Sequence, residues 1–93
     1  MSESQDEAVL RVSASSSPQS VASAIAHAIY EKGSCKVRAV GAGPVNQAVK
    51  AIAIASGYTA PRGITIVNQP GFQSVEINGE TISAIVFKVY SVN

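Results

Sequence analysis

Two short polar stretches hold the residue types best suited to binding chemistry. Ser15-Ser16-Ser17 offers three neighbouring hydroxyls ahead of Pro18 and Gln19, and Gly41-Ala42-Gly43 precedes Pro44, Asn46 and Gln47. Each stretch closes an alternating run and opens a run of helical spacing. Both therefore read as strand-to-helix loops at which helix N–H groups carry partial positive charge. Glycines at 41 and 43 let backbone approach a ligand closely, while Ser15, Ser16, Ser17, Gln19, Asn46 and Gln47 supply hydrogen bonds. That chemistry suits a phosphate. The pattern is not the dinucleotide fingerprint, because Asn46 stands where a third glycine would be needed, and it is not a P-loop, because no Gly-Lys-Ser/Thr follows. The same residues also make ordinary helix caps and a tight turn.

Catalytic patterns are weaker. His27, the only histidine, has Glu31 four residues on, which makes an exposed helical ion pair. Cys35, the only cysteine, falls on the apolar side of a strand, so it points away from His27 and has no partner for a disulfide. Glu76 and Glu80 flank a two-residue turn, where no pocket shifts their pKa values. Neither a metal site nor a cofactor is implied, and no enzyme activity is expected.

Positive charge is spread thinly: seven Lys and Arg against six Asp and Glu leave a net charge of +1. No overall field draws in nucleic acid or an anionic membrane. Arg11, Lys36 and Arg38 nevertheless share the outer side of their strands, and Lys88 joins them on the last strand. Lys50 and Arg62 follow the second loop. In a dimer each would appear twice.

The elements that position these groups follow from periodicity. Ala8 to Ser13 alternates as a strand. Ser17 as N-cap and Pro18 in the first turn open a helix whose Val21, Ile25, Ala28 and Ile29 recur on one face until Gly33. Cys35 to Val40 alternates again. Pro44 opens a second helix, with a core stripe of Val45, Ala48, Val49 and Ile52, and Gly57 is its expected stop. Ile54 lies opposite Val45 on the wheel, with the small Ala51 and Ala55 nearby. These three residues are therefore the expected contact with a second copy. Ile64 to Gln69 reads as a strand that Pro70-Gly71 breaks or bulges. Phe72 to Ile77 and Glu80 to Tyr90 flank Asn78-Gly79, a strong hairpin signal.

The order β-α-β-α-β-β makes an α/β two-layer domain over residues 8–93, with both helices on one face of a mixed sheet. Residues 1–7, with Glu3, Asp6 and Glu7, read as an acidic, frayed tail rather than a leader. No apolar run approaches the roughly 20 residues that span a bilayer, so a cytoplasmic location is expected.

Taken together, Ser13 to Ala22 (SASSSPQSVA), Ala39 to Ala55 (AVGAGPVNQAVKAIAIA), Gly57-Tyr58, Pro61, Gly63, Pro70-Gly71-Phe72 and Ile77-Asn78-Gly79-Glu80 resemble the bacterial stage V sporulation protein S family. The similarity spans about residues 8–90. That family is similar to Alba-type proteins, which are dimers that bind chromatin or RNA. The resemblance implies a small non-enzymatic developmental regulator that contacts DNA or RNA through the two loops, Ser15 through Gln19 and Gly41 through Gln47, and the hairpin arm, Phe72 through Ile82, with Arg38, Lys50 and Arg62 expected to supply the few charges. Unlike Alba loops, these loops carry no lysine or arginine, so phosphate-backbone binding is expected to be weak and salt-sensitive. Two alternatives remain open: a sensor of a small phosphorylated ligand such as a nucleotide messenger, and a protein-interaction module.

Overall fold

The computed structural model describes residues 7–93. Apart from Glu7, the acidic tail expected over residues 1–7 lies outside the described residues. Four strands and two long helices follow in the order β1 (Ala8–Val12), α1 (Pro18–Lys32), β2 (Ser34–Ala39), α2 (Ala42–Thr59), β3 (Ile66–Ile77) and β4 (Glu80–Ser91). A short 3₁₀ turn, Ala60–Arg62, joins α2 to β3. The sheet order is β1-β2-β4-β3, parallel between β1 and β2 and antiparallel elsewhere. The expected β-α-β-α-β-β topology, with both helices on one face and a C-terminal hairpin, is the architecture observed.

Alternation places Leu10 and Val12, Cys35, Val37 and Ala39, and Phe87 and Val89 on the helix side. The helices meet that surface and each other through small residues. Ala22, Ala48, Ala51 and Ala55 are completely buried, with Ile25 and Ile29 filling the space between them. Alanines at these positions let helix backbones approach closely, so burial falls on Cβ atoms rather than long side chains.

This packing corrects two expectations about α2. Val49, expected in the core stripe, is half exposed. Ala51 and Ala55, expected to face a second copy, are fully buried within the single chain, and Ile54 packs against its core. A helix lying on both a sheet and a second helix buries a wider arc than one apolar stripe.

The ends of α2 also differ from expectation. The helix begins at Ala42, so Pro44 sits within its first turn, where a missing N–H costs nothing. It continues through Gly57 to Thr59, whose fully buried side chain donates from Oγ1 to the Ser56 carbonyl at 3.3 Å. The chain instead turns out of helical conformation at Gly63, with φ 76°. Gly57 is thus a mid-helix glycine with open space where a Cβ would stand. Gly57→Ala is expected to raise stability by about 0.5–1 kcal/mol, read as a higher melting temperature. An unchanged or lower melting temperature would contradict the helical assignment there.

Pro70-Gly71 neither breaks nor bulges β3, which is continuous from Ile66 to Ile77. Hairpin parity supplies the reason. Ile77 and Glu80 flank the two-residue Asn78-Gly79 turn and pair by hydrogen bonds, so the residues at even positions of β3 aim their N–H groups at the open edge. Pro70 falls among them and removes no ladder bond.

Candidate nucleic-acid interface

Three features converge at the carboxyl end of β1 and β2. The Ser13–Ser17 loop leads into α1, Gly41 leads into α2, and the hairpin runs past them. The last β2 residue, Ala39, is paired with Ile85, so Gln73–Ile77 and Glu80–Ala84 continue as a two-stranded arm. At roughly 3.3 Å per residue the arm extends about 15 Å beyond β2.

The serine loop satisfies itself. The Ser13 N–H donates to Ser16 Oγ at 2.9 Å, the Ser16 N–H donates to the Ser13 carbonyl at 3.1 Å, and the Ser13 hydroxyl lies 3.2 Å from that of Ser15. Ser17 is the N-cap, accepting from the Ser20 N–H at 3.3 Å while its hydroxyl donates to Gln19 Oε1. The second loop is different. No side chain caps α2, so the N–H groups of Ala42 and Gly43 leave the helix end without a side-chain partner. Gly41 reaches this entry at φ 96° and ψ 165°, a conformation largely restricted to glycine.

The two loops are braced against each other. Gln47 Nε2 donates to the Ser16 carbonyl at 2.8 Å, and a Cβ on Gly43 would stand 3.4 Å from the Ala14 Cβ. Ser15, Ser16, Ser17, Gln19, Gly41, Gly43, Asn46 and Gln47 therefore share one end of the molecule, with Gln47 occupied as a strut and Asn46 exposed.

The cations are placed less uniformly. Arg38 lies on the outer face of β2 beside Arg11, near this end. Lys50 is exposed about 12 Å further along α2, at 1.5 Å per residue. Arg62 is at the opposite end, past the C-terminus of α2. Its guanidinium stacks 3.8 Å from the centroid of the Tyr30 ring, and the Tyr30 hydroxyl donates to the Tyr58 carbonyl at 3.2 Å. Closeness in sequence to α2 does not bring Arg62 to the loops.

One charged cluster escaped the sequence reading. The Glu7 side chain is only 8% exposed and lies 3.9 Å from Lys36 Nζ and 3.8 Å from Lys88 Nζ. Lys36 and Lys88 are cross-strand neighbours on the outer face. Residues 7, 9 and 11 share that face by alternation, a parity that would have placed Glu7 there.

The groups capable of catalysis stay apart. Burial, then the nearby Glu7 carboxylate, pushes the Cys35 thiol up to about 11, so it stays protonated in the core at neutral pH. His27 Nε2 and Glu31 form an exposed pair at 3.2 Å. Among the described residues there is no group of three or more His, Cys, Asp or Glu able to hold a metal, and no helix is long and apolar enough to cross a membrane. Across residues 8–92 the sequence matches the family model for Stage V sporulation protein S, and the chain belongs to that family.

Proposed function

We propose that this protein is a non-enzymatic regulator in a sporulation-type developmental programme, acting in the cytoplasm as an Alba-like homodimer that binds nucleic acid weakly and without sequence preference. The observation that carries this reading is the convergence of the serine loop, the uncapped α2 N-terminus and the hairpin arm at one end. Helix N-terminal N–H groups and hydroxyls hold phosphate oxygens there, and Arg38 and Lys50 add charge. Exposed apolar side chains, Phe72 on β3 at the base of the arm and Val49 on α2, offer surface for a second copy to cover.

Two cations from each protomer predict about four phosphate contacts per dimer. The log–log dependence of affinity on salt should then have a slope of about −3.6, or roughly 150-fold weaker duplex binding at about 200 mM than at about 50 mM. Fluorescence anisotropy of labelled duplex DNA measures this. Affinity that stays flat with salt would sink the mechanism.

A second reading is favoured by one feature: the loops hold hydroxyls, the Asn46 amide and uncapped N–H groups, but no cation. A compact phosphorylated ligand such as a nucleotide can be held by such groups alone. At 100 times its dissociation constant it would add about 2.7 kcal/mol of stability. A thermal-shift panel of nucleotides showing no movement would remove this reading.

A further inference from the structure

Four of the seven Lys and Arg residues, Arg11, Lys36, Arg38 and Lys88, lie on the sheet face that turns away from the helices. They form a compact grid. Arg11 is the parallel neighbour of Arg38, Lys36 is the antiparallel neighbour of Lys88, and Lys36 and Arg38 are two residues apart on β2. Like charges placed directly across strands repel, so this arrangement asks for an anion. Glu7 partly answers it. Its carboxylate is held between Lys36 and Lys88 at distances too long for hydrogen bonds, and its buried Oε2 has no hydrogen-bond partner.

Beside the grid, the outer surface of β3 opens into a groove of about 370 Å³ whose lining includes Lys36, Gln69, Gly71, Gln73 and Val86. Gly71 makes the room, since a Cβ there would meet open space. Two amides flank the gap, and each can donate to and accept from a heterocycle edge. A row of cations beside an amide-walled slot fits an unpaired base with its phosphates. A duplex, whose bases stay stacked inside, cannot use the slot.

We propose that this outer face binds single-stranded nucleic acid, with phosphates along Arg11, Arg38 and Lys36, a base over Gly71, and Glu7 competing for the lysines. The inference rests on the reading of the chain as nucleic-acid-binding but assigns a different surface and a different form of nucleic acid. Glu7 holds the place of a phosphate until a strand displaces it.

The test is anisotropy of a labelled mixed-sequence single strand of about 20 nucleotides, with the same protein titrated against duplex DNA in parallel. The double variant Arg11→Gln/Lys36→Gln should weaken single-strand binding at least tenfold at low salt and flatten its salt slope. Gly71→Leu, which fills the groove without removing charge, should weaken it several-fold with the slope unchanged. Glu7→Gln should tighten it several-fold. Asn46→Asp, at the loop end, should weaken duplex binding and leave the single strand nearly untouched.

Single-strand affinity unchanged in the outer-face variants would overturn the proposal, while the response of duplex binding to Asn46→Asp would still judge the loop-end reading. Single-strand binding lost only with Asn46→Asp would also overturn it. So would binding to phosphatidylserine vesicles in place of the oligonucleotide. Melting curves establish that each variant is folded, and the double variant keeps the test decisive if Gly71→Leu is not.

Discussion

Ile25→Ala is expected to remove about 3–4 kcal/mol of stability and to lower the melting temperature by about 15–25 °C. Ile25 is completely buried on α1, within the core that also holds Ala22, Val37 and Ala48. The surrounding residues are small, and backbone-to-backbone packing leaves little slack for the site to collapse. A domain of this size has about 5–14 kcal/mol in total, so the loss is a large share of it. Val92→Ala is the matched control, because Val92 is half exposed just past β4 and its truncation should stay within about 0.5 kcal/mol. Equal losses at the two positions in urea or thermal melts would contradict the observed packing.

Gly41→Ala is expected to cost about 1–3 kcal/mol and to weaken nucleic-acid binding at the loop end together with it. The cost comes from the backbone, not from crowding. A Cβ on Gly41 would meet Pro44 Cδ at an ordinary 3.9 Å, yet φ 96° with ψ 165° is a region that side-chain-bearing residues avoid. Relief of the strain would have to move the entry to α2, and with it the uncapped N–H groups of Ala42 and Gly43. Thermal melts and duplex anisotropy on the same variant therefore report one event. A loss of stability with duplex affinity intact would detach the α2 entry from binding.

Much of the architecture was legible because its signals are local. The Ser17 cap, the left-handed Gly33 and the Asn78-Gly79 turn lie where sequence spacing puts them. The departures arise where a neighbour in space decides. Val49 is exposed and Ala51 buried, against expectation, because α1 presses on α2 from the side, and a wheel drawn for one helix does not contain the other. Gly57 stays helical because buried Thr59 anchors the turn beyond it. Pro70 fits within β3 because the hairpin turn sets the parity of the ladder, which composition at Pro70-Gly71 does not reveal. At the candidate site, the two loops and the arm follow from connectivity alone. Arg62 does not, because eighteen residues of helix carry the chain to the far end. Glu7, grouped by its charge with the tail, instead lies under two lysines whose nearness depends on β4 standing beside β2.

That position of β4 has a consequence for how the molecule comes into being. β4 is the last of the four strands to be made, yet it is the one that joins the β1–β2 pair to β3. A chain emerging from the ribosome can assemble two helices on two parallel strands early. β3 must wait without a partner until residues 80–91 have cleared the exit tunnel. The sheet is thus sealed from the inside and by its last strand, and during that interval β3 has both of its edges open to other chains.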